Sequence, residues 1–346
     1  MRFITVVVFL FSLLVYFSVY FSPENFSYIG LLPLMIPVAL VVNAILVVLL
    51  LLGRRMIFIL PVIALIIGWK FIGVTFQLNP ATNPTDGLSV LSYNTHLFNF
   101  RWTKEENPSD NALQWVKDHP ADIKCLQEFL QDYTTPSQNS IKHLTEDGQY
   151  EYAYHIVDGN KKRSYGMAVF SKFPIINEGL VFDNKRNNGA MFVDIKVDKD
   201  TIRVYNTHLE SMSIRADQLG DMEGIKQNYR STLRKLKDGI QTRASQVKIL
   251  SEHIASSPYP VIMAGDFNDV PYSYTYFTIK SLLKNAFEEA GRGFGFTYNR
   301  VLFFLRIDNI FYSSGIEAIQ FKTHREVDYS DHYPVSAKFR IEEKNE

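Results

Sequence analysis

Cysteine is almost missing from this chain: Cys125 is the only one in 346 residues. An internal disulfide is therefore excluded, and Cys125 reads as a small core residue of a strand. An excess of either charge is missing too, with 36 basic against 36 acidic residues. Residues 1–76 hold four of the basic residues (Arg2, Arg54, Arg55, Lys70) and one of the acidic (Glu24). That leaves 32 against 35 in the remainder, a net of −3. A nonspecific nucleic-acid binder carries a basic footprint, and this remainder has none overall. Internal repeats and low-complexity tracts are also lacking, which excludes a repeat architecture.

Charge is absent altogether from Phe3–Ser22 and Leu31–Leu52, and Lys70 alone interrupts Met56–Val74. A spanning helix needs about 20 apolar residues, and each stretch qualifies. Phe3–Ser22 alone, behind Arg2, fits a signal peptide; with two further apolar stretches the reading is a three-span anchor over residues 1–76. The link Pro23–Gly30 has no Lys or Arg, whereas Arg2 and Arg54-Arg55 flank the other ends. Basic ends face inward, so the expectation is a protein integral to the cell inner membrane, with the domain after the third span extracytoplasmic.

Residues 77–87, rich in Pro, Asn and Thr, read as a linker, and residues 88–346 as one large domain. Strands alternate with helices there. Leu88–Tyr93, Ile123–Leu126, Tyr165–Ser171, Met191–Val197, Ile202–Tyr205, Val261–Ala264 and Ile307–Tyr312 are strand candidates, and Met191–Val197 and Ile202–Tyr205 form a hairpin turning at Lys199-Asp200. Ala112–Asp118 reads as a helix after Pro108-Ser109-Asp110. Met212–Ser256 reads as a long helix burying Leu233, Leu236, Ile240, Val247 and Leu250, its first part (Ile214–Lys226) an insertion beside the cleft. Tyr298–Leu305, with Phe303-Phe304, reads as a core strand. Mixed strands and helices suggest sheets packed face to face with helices outside.

Polar residues recur where the apolar strands stop: Asn94, Gln127-Glu128, Asn206-Thr207-His208, Gly265-Asp266-Phe267-Asn268, Asp308 and Ser330-Asp331-His332. A sheet fold gathers such ends into one cleft. Glu128 is a candidate metal ligand, because an acid ending an apolar strand is costly to bury unless paired or coordinated; the bland alternative is a solvated loop acid. Asp331 is the second carboxylate of that set. Asp266 and Asn268, two apart in extended chain, point to the same side, where a carboxylate can orient and deprotonate a water and an amide can donate to a phosphate oxygen. Their alternative is an Asx turn. His332 and Asp308 form a natural imidazole–carboxylate pair. His208 offers a second phosphate contact and Asn94 positions metal or phosphate. His96, His119, His143, His155, His253 and His324 are read as structural or solvated.

Taken together in chain order, Ser92-Tyr93-Asn94, Leu126-Gln127-Glu128, Asn206-Thr207-His208, Gly265-Asp266-Phe267-Asn268, Arg306-Ile307-Asp308 and Ser330-Asp331-His332 resemble the endonuclease/exonuclease/phosphatase superfamily from about Leu88 to Phe339. The resemblance implies a DNase I-like four-layer α/β sandwich, here preceded by three transmembrane helices. It implies a Mg2+ site, with Mn2+ the other candidate ion, held by Glu128 with Asn94 and Asp331 assisting. Asp266 would align the attacking water, His332 held by Asp308 would contact the scissile phosphate, and His208 and Asn268 would stabilise the transition state. Two positions depart from relatives resembling exonuclease III: His96 stands where some carry an acid, and His208 where those enzymes carry Tyr. Both lead away from DNA repair, and His208 looks more like the branches resembling DNase I, sphingomyelinases and phosphoinositide phosphatases. The expected substrate is a phosphoester, in a phospholipid headgroup, a nucleic acid or a small phosphodiester, with the bilayer as partner through the N-terminal helices and no protein partner. Membrane tethering and the lack of a basic domain favour a lipid-linked or small phosphoester. The alternatives are a tethered nuclease using Lys161-Lys162-Arg163, Lys185-Arg186 and Arg230/Arg234, and a catalytically inactive binding scaffold.

Overall fold

The computed structural model describes residues 1–99, 108–184, 188–212, 222–300 and 304–342. The chain forms two compact units. One is Met1–Phe76 with Met212–Val247 and Asp269–Ser281; the other is Gln77–Ser211, Lys248–Asn268 and Leu282–Glu346.

The first unit is built on apolar helices at Arg2–Ser18, Ile36–Leu52 and Ile59–Gly73, the latter two each preceded by 3-10 turns. Ser27–Leu52 (26 residues) and Met56–Gly73 (18 residues) are long and apolar enough to cross a membrane, a test that a signal sequence or a soluble core helix also passes. Arg2–Ser18 is shorter than the expected Phe3–Ser22, so the three expected spans become two candidates and one shorter apolar helix. The chain leaves that helix where the Ser18 hydroxyl bonds back to the Val15 carbonyl at 2.7 Å, with Pro23 close behind. The helices are not packed by apolar contact alone. Asn43 is fully buried and donates to Ser12 Oγ at 2.7 Å, and Tyr16 lies against Phe71 with ring centroids 5.4 Å apart. A Cβ on Gly68 would meet the Tyr16 ring at 2.9 Å, so glycine is what lets these two helices approach. Tyr272 and Phe277, from the third segment of the unit, pack on the same cluster.

In the second unit the strands follow as β1 (Phe76–Leu78, which opens at the last residue of the first unit), β2 (Leu88–Asn94), β3 (Ile123–Asp132), β4 (Glu151–Gly159), β5 (Arg163–Ser171), β6 (Ile175–Asp183), β7 (Gly189–Val197), β8 (Asp200–His208), β9 (Val261–Asp266), β10 (Lys284–Asn285), β11 (Arg292–Phe294), β12 (Asp308–Tyr312), β13 (Ile316–Thr323) and β14 (Val335–Ile341). Two six-stranded sheets result, ordered β13-β14-β2-β3-β5-β4 and β10-β12-β9-β8-β7-β6. They share a plan: one parallel pair in the middle (β2 with β3, β8 with β9) and antiparallel neighbours on both sides.

Alternation along each strand separates the layers. Val90, Ile123, Cys125 and Val169 of one sheet share a core with Val193, Val204, Ile262 and Ile310 of the other. On the opposite face of the first sheet, Tyr93, Leu126, Phe129 and Phe170 pack on Leu113 and Val116 of helix Pro108–Asp118 and on Ile141 and Leu144 of helix Ser140–Thr145. On the second sheet, Phe192 and Tyr205 meet His253 of helix Met222–Ala255. The order helix, sheet, sheet, helix is the expected four-layer sandwich.

Several local expectations change. The β3 strand does not stop at Glu128: Phe129 and Leu130 continue it, and Glu128 sits on an irregularity between Leu126 and Phe129 in the pairing with β5. Leu233 is exposed on the long helix, whereas Ile240, Val247 and Leu250 are buried. Residues 213–221, most of the expected insertion, lie outside the described residues, as do Lys185, Arg186 and Phe303. Among the described residues of Tyr298–Leu305 no strand forms. Tyr298 makes an isolated bridge with His332, and Phe304 is 50% exposed. The segment read as a linker is tied down: Asn79 donates to the Glu288 carbonyl at 3.0 Å, Thr82 to Ile319 at 2.6 Å, and Lys338 to the Pro84 carbonyl at 2.6 Å.

Candidate active site

The two parallel pairs end in register. Asn94 of β2 lies opposite Gln127 of β3, and His208 of β8 opposite Asp266 of β9. The antiparallel β12 begins with Asp308 paired to Asp266. The strand ends thus deliver Asn94, His208, Asp266 and Asp308 to one end of the sandwich, and the irregularity inside β3 adds Glu128. The Ser330–His332 segment joins them: Ser330 Oγ donates to the Asn94 carbonyl at 2.8 Å, and the His332 amide to Ser330 Oγ at 3.2 Å.

Asp266 is the centre of the group. Its Oδ2 accepts from Asn94 Nδ2 at 3.0 Å and lies 3.5 Å from His208 Nε2 and 3.6 Å from His332 Nε2. Its Oδ1 accepts from the Asn268 amide at 2.8 Å. Asn268 Nδ2 donates to the Leu209 carbonyl at 3.0 Å and lies 3.3 Å from Asp266 Oδ2. Asp308 Oδ2 holds His332 Nδ1 at 2.9 Å. Glu128 Oε1 lies 3.5 Å from Asn94 Nδ2 and 3.8 Å from His208 Nε2. Asn94, His208, Asp266, Asp308 and His332 are buried; Glu128, Asn268 and Asp331 are half-buried. Every residue singled out for chemistry is therefore in this neighbourhood, Asp331 at its rim beside His96 (3.7 Å).

Backbone geometry explains how the sequence aims these groups. Glu128 (φ +47°) and Asn268 (φ +49°) adopt left-handed conformations, uncommon for residues with a side chain. At Glu128 this goes with the irregularity in β3. Gly265 (φ +152°) cannot be replaced without distortion, because a Cβ there would stand 1.9 Å from the Thr207 carbonyl oxygen. Beneath the site, Gln127 Nε2 donates to Asn206 Oδ1 at 2.7 Å, and Asn206 Nδ2 to the carbonyls of Leu126 and Ala168, both at 2.9 Å. These buried amides staple one sheet to the other directly below the catalytic ends.

Burial disfavours charge on the His332 ring, but Asp308 on Nδ1 and Asp266 near Nε2 outweigh it and raise its pKa well above 6.5. Burial raises Asp308 above the ordinary carboxylate value, an effect the imidazolium only partly offsets. With two carboxylates facing one ring, we place the shared proton on the ring. Burial opposes ionisation of Asp331, yet His332, His96 and Arg300 hold its pKa low.

Four contributors are not marked in the sequence. Thr297 Oγ1 accepts from the amides of Ile307 and Asp308 at 3.0 and 3.1 Å. Tyr298 packs edge-on against His332 with ring centroids 5.4 Å apart. Asn99 donates to the Tyr329 carbonyl and faces His96. None carries a sequence signal beyond being polar or aromatic in a loop. His96 was set aside as structural although it stands two residues from Asn94. Of the basic residues weighed for nucleic acid, Arg163 is engaged with Asp132 at 3.3 Å, and Arg230 and Arg234 belong to the other compact unit.

Among the described residues, Asp266, Asp308 and His332 offer ligand atoms within 4.8 Å of one another, a possible metal cluster. Glu128 and Asn94 offer the other candidate.

Residues 91–332 match the model of the Endonuclease/Exonuclease/phosphatase family, and residues 1–75 match a domain of unknown function. No curated protein matches. Among solved structures, the fold is similar to an endonuclease/exonuclease/phosphatase from Beutenbergia cavernae DSM 12333 (16% identity, 74% of this chain and 72% of that one, TM-score 0.53). It is similar also to ANGEL2, a 2',3'-cyclic phosphatase (20% identity, 74% and 95%, TM-score 0.53), and to a family member from Bacteroides thetaiotaomicron (18% identity, 75% and 98%, TM-score 0.50). With the family's sandwich and its six motifs converging on one end, the chain belongs to the endonuclease/exonuclease/phosphatase family and is a hydrolase of phosphate esters.

Proposed function

We propose that the protein is a membrane-anchored, Mg2+-dependent phosphoesterase that hydrolyses its substrate by in-line attack of water. The observation that carries this reading is the convergence on Asp266: Asn94 at 3.0 Å, His208 at 3.5 Å and His332 at 3.6 Å, with Asp308 behind the last. A buried carboxylate fixed on both oxygens is suited to orient a water and accept its proton. The His332 imidazolium, locked by Asp308, meets a phosphoryl oxygen, and His208 and Asn268 donate to the charge that develops on phosphorus.

The residues fit a hard cation. Glu128 presents a half-exposed carboxylate beside the Asn94 amide, and Asp331 adds a second carboxylate whose pKa is held low; Mg2+ takes one or two carboxylates and keeps water and phosphate in its shell. We assign it to Glu128, Asn94 and Asp331 rather than to Asp266, Asp308 and His332, because the His332 ring, with Asp308 on Nδ1 and Asp266 facing Nε2, holds the shared proton and has no lone pair to give a metal. When bound, the ion supplies charge neutralisation to the phosphoryl group. The substrate is a phosphoester, and the apolar helices anchor the enzyme in the bilayer with the catalytic domain on the extracytoplasmic side. In the test, full-length protein in detergent is assayed on bis-p-nitrophenyl phosphate with and without Mg2+. Asp266→Asn is expected to lose on the order of 10²–10⁴ in kcat, the span of one positioned base, while its melting temperature stays near that of the parent. Undiminished turnover by that variant refutes the assignment.

A further inference from the structure

His96 is the polar group at the rim of the site that the mechanism leaves unused, and its surroundings hold it firmly. From His96 to Asn99 the backbone is left-handed throughout, with φ of 46, 55, 53 and 54° and no glycine. Such residues are individually disfavoured and persist only where neighbours over-determine them. Here the neighbours do so. The His96 amide donates to Asn94 Oδ1 at 3.1 Å, and the Phe98 amide to the Thr95 carbonyl at 2.8 Å. Phe98 is buried against Phe129 with centroids 5.6 Å apart.

The same turn sets the tautomer of the imidazole. Asn99 Nδ2 donates to the Tyr329 carbonyl, which leaves Asn99 Oδ1 as the atom facing His96 Nδ1 at 3.0 Å. An amide oxygen only accepts, so Nδ1 carries the hydrogen. Nε2 is then the ring's available atom, and no described residue engages it. The side chain is 32% exposed and lies beside Asp331 (Nδ1 to Oδ1, 3.7 Å), whereas Asp266, His208 and His332 form a separate group. Clamped at one nitrogen, the ring leaves Nε2, which no described residue engages, to accept a hydrogen bond from a ligand at the rim of the site.

We propose that His96 contacts the substrate through Nε2, accepting a hydrogen bond from a hydroxyl or N–H of the substituent carried by the scissile phosphate, and that Asn99 positions it. This rests on the phosphoesterase reading above. His96→Asn is the diagnostic variant, since asparagine tolerates a left-handed backbone and reaches Asn99 but not the Nε2 position; His96→Gln restores an amide at that position. With full-length protein, Mg2+ and the chromogenic diester thymidine 5'-p-nitrophenyl phosphate, whose sugar hydroxyl and base N–H are donors, His96→Asn is expected to raise KM roughly tenfold, the loss of one hydrogen bond. The kcat, the melting temperature and the inhibition constant of inorganic phosphate should stay unchanged, and His96→Gln should recover most of the KM. An unchanged KM in His96→Asn overturns the proposal. So does a parallel rise in KM and in the phosphate inhibition constant, which would put the ring on the phosphoryl group, or a loss that follows the melting temperature, which would make it structural. Asp266→Asn, run alongside, separates this outcome from failure of the parent reading: its persistence in turnover condemns the mechanism and not the His96 assignment alone.

Discussion

Asp266 draws its neighbours together by covalent and steric constraint more than by attraction. It is the last residue of a buried strand, Gly265 before it admits no side chain against the Thr207 carbonyl, and Asn268 after it turns back through a left-handed conformation. Away from the site, His119 contributes to an acid limit on the fold. His119 packs beside Trp115 and His324; burial, and then the charges of His324, Lys124, Lys322 and Lys172, push its pKa down to about 3. Its folded pKa lies below the unfolded value of about 6.5, so between these limits the unfolded chain binds the extra proton. Stability from this group is complete above pH 6.5 and falls as pH drops toward 3, by up to about 1.4 kcal/mol per pH unit. The melting temperature should therefore decline between pH 7 and 5, and decline less in His119→Phe, which keeps a ring beside Trp115. Equal slopes in the two proteins would contradict the assignment.

At the scale of elements, the catalytic ends depend on the registration of two sheets, and that depends on the Gln127–Asn206 staple. In Gln127→Leu, Asn206 Oδ1 loses its donor in a buried setting, an expected cost of about 1–3 kcal/mol and a fall of several degrees in melting temperature by differential scanning. An unchanged melting temperature would show that the staple is dispensable. This scale also decides what could be read from the chain beforehand. Asn94, His208 and Asp266 were legible because each closes an apolar run with a polar residue, and the sandwich was legible through the family that their joint order resembles. Glu128 was legible as a residue but not in its setting, since Phe129 and Leu130 keep the apolar pattern going and hide the irregularity. Tyr298 and Thr297 could not be found, because their positions come from a bridge and two amide contacts made across the fold. The first apolar helix was legible but its early end at Ser18 was not, because hydropathy reports where a helix can run and not where it stops.

At the scale of the molecule, the apolar segment is more than an attachment. Residues 212–247 and 269–281 group with residues 1–76 in one unit. Gln241 donates to the Glu24 carbonyl at 2.6 Å, Ser245 to Glu24 Oε1 at 3.0 Å, and Phe277 meets the rings of Tyr20 and Phe71 at 5.7 Å. Removing residues 1–76 strips partners from Tyr272 and Phe277. The fragment Gln77–Glu346 is accordingly expected to aggregate on size-exclusion chromatography without detergent, while the full chain in detergent runs as a single species. A monodisperse fragment that melts at the full-length temperature would contradict this.

For that reason the decisive assay uses the whole chain. Full-length protein in detergent would be offered plasmid DNA, RNA, sphingomyelin, phosphoinositides and bis-p-nitrophenyl phosphate under Mg2+, Mn2+ or Ca2+, with Asp266→Asn in parallel. The account predicts turnover of at least one phosphoester that requires Mg2+ or Mn2+ and collapses in the variant. Turnover that survives Asp266→Asn, or silence across the whole panel with every ion, would contradict it.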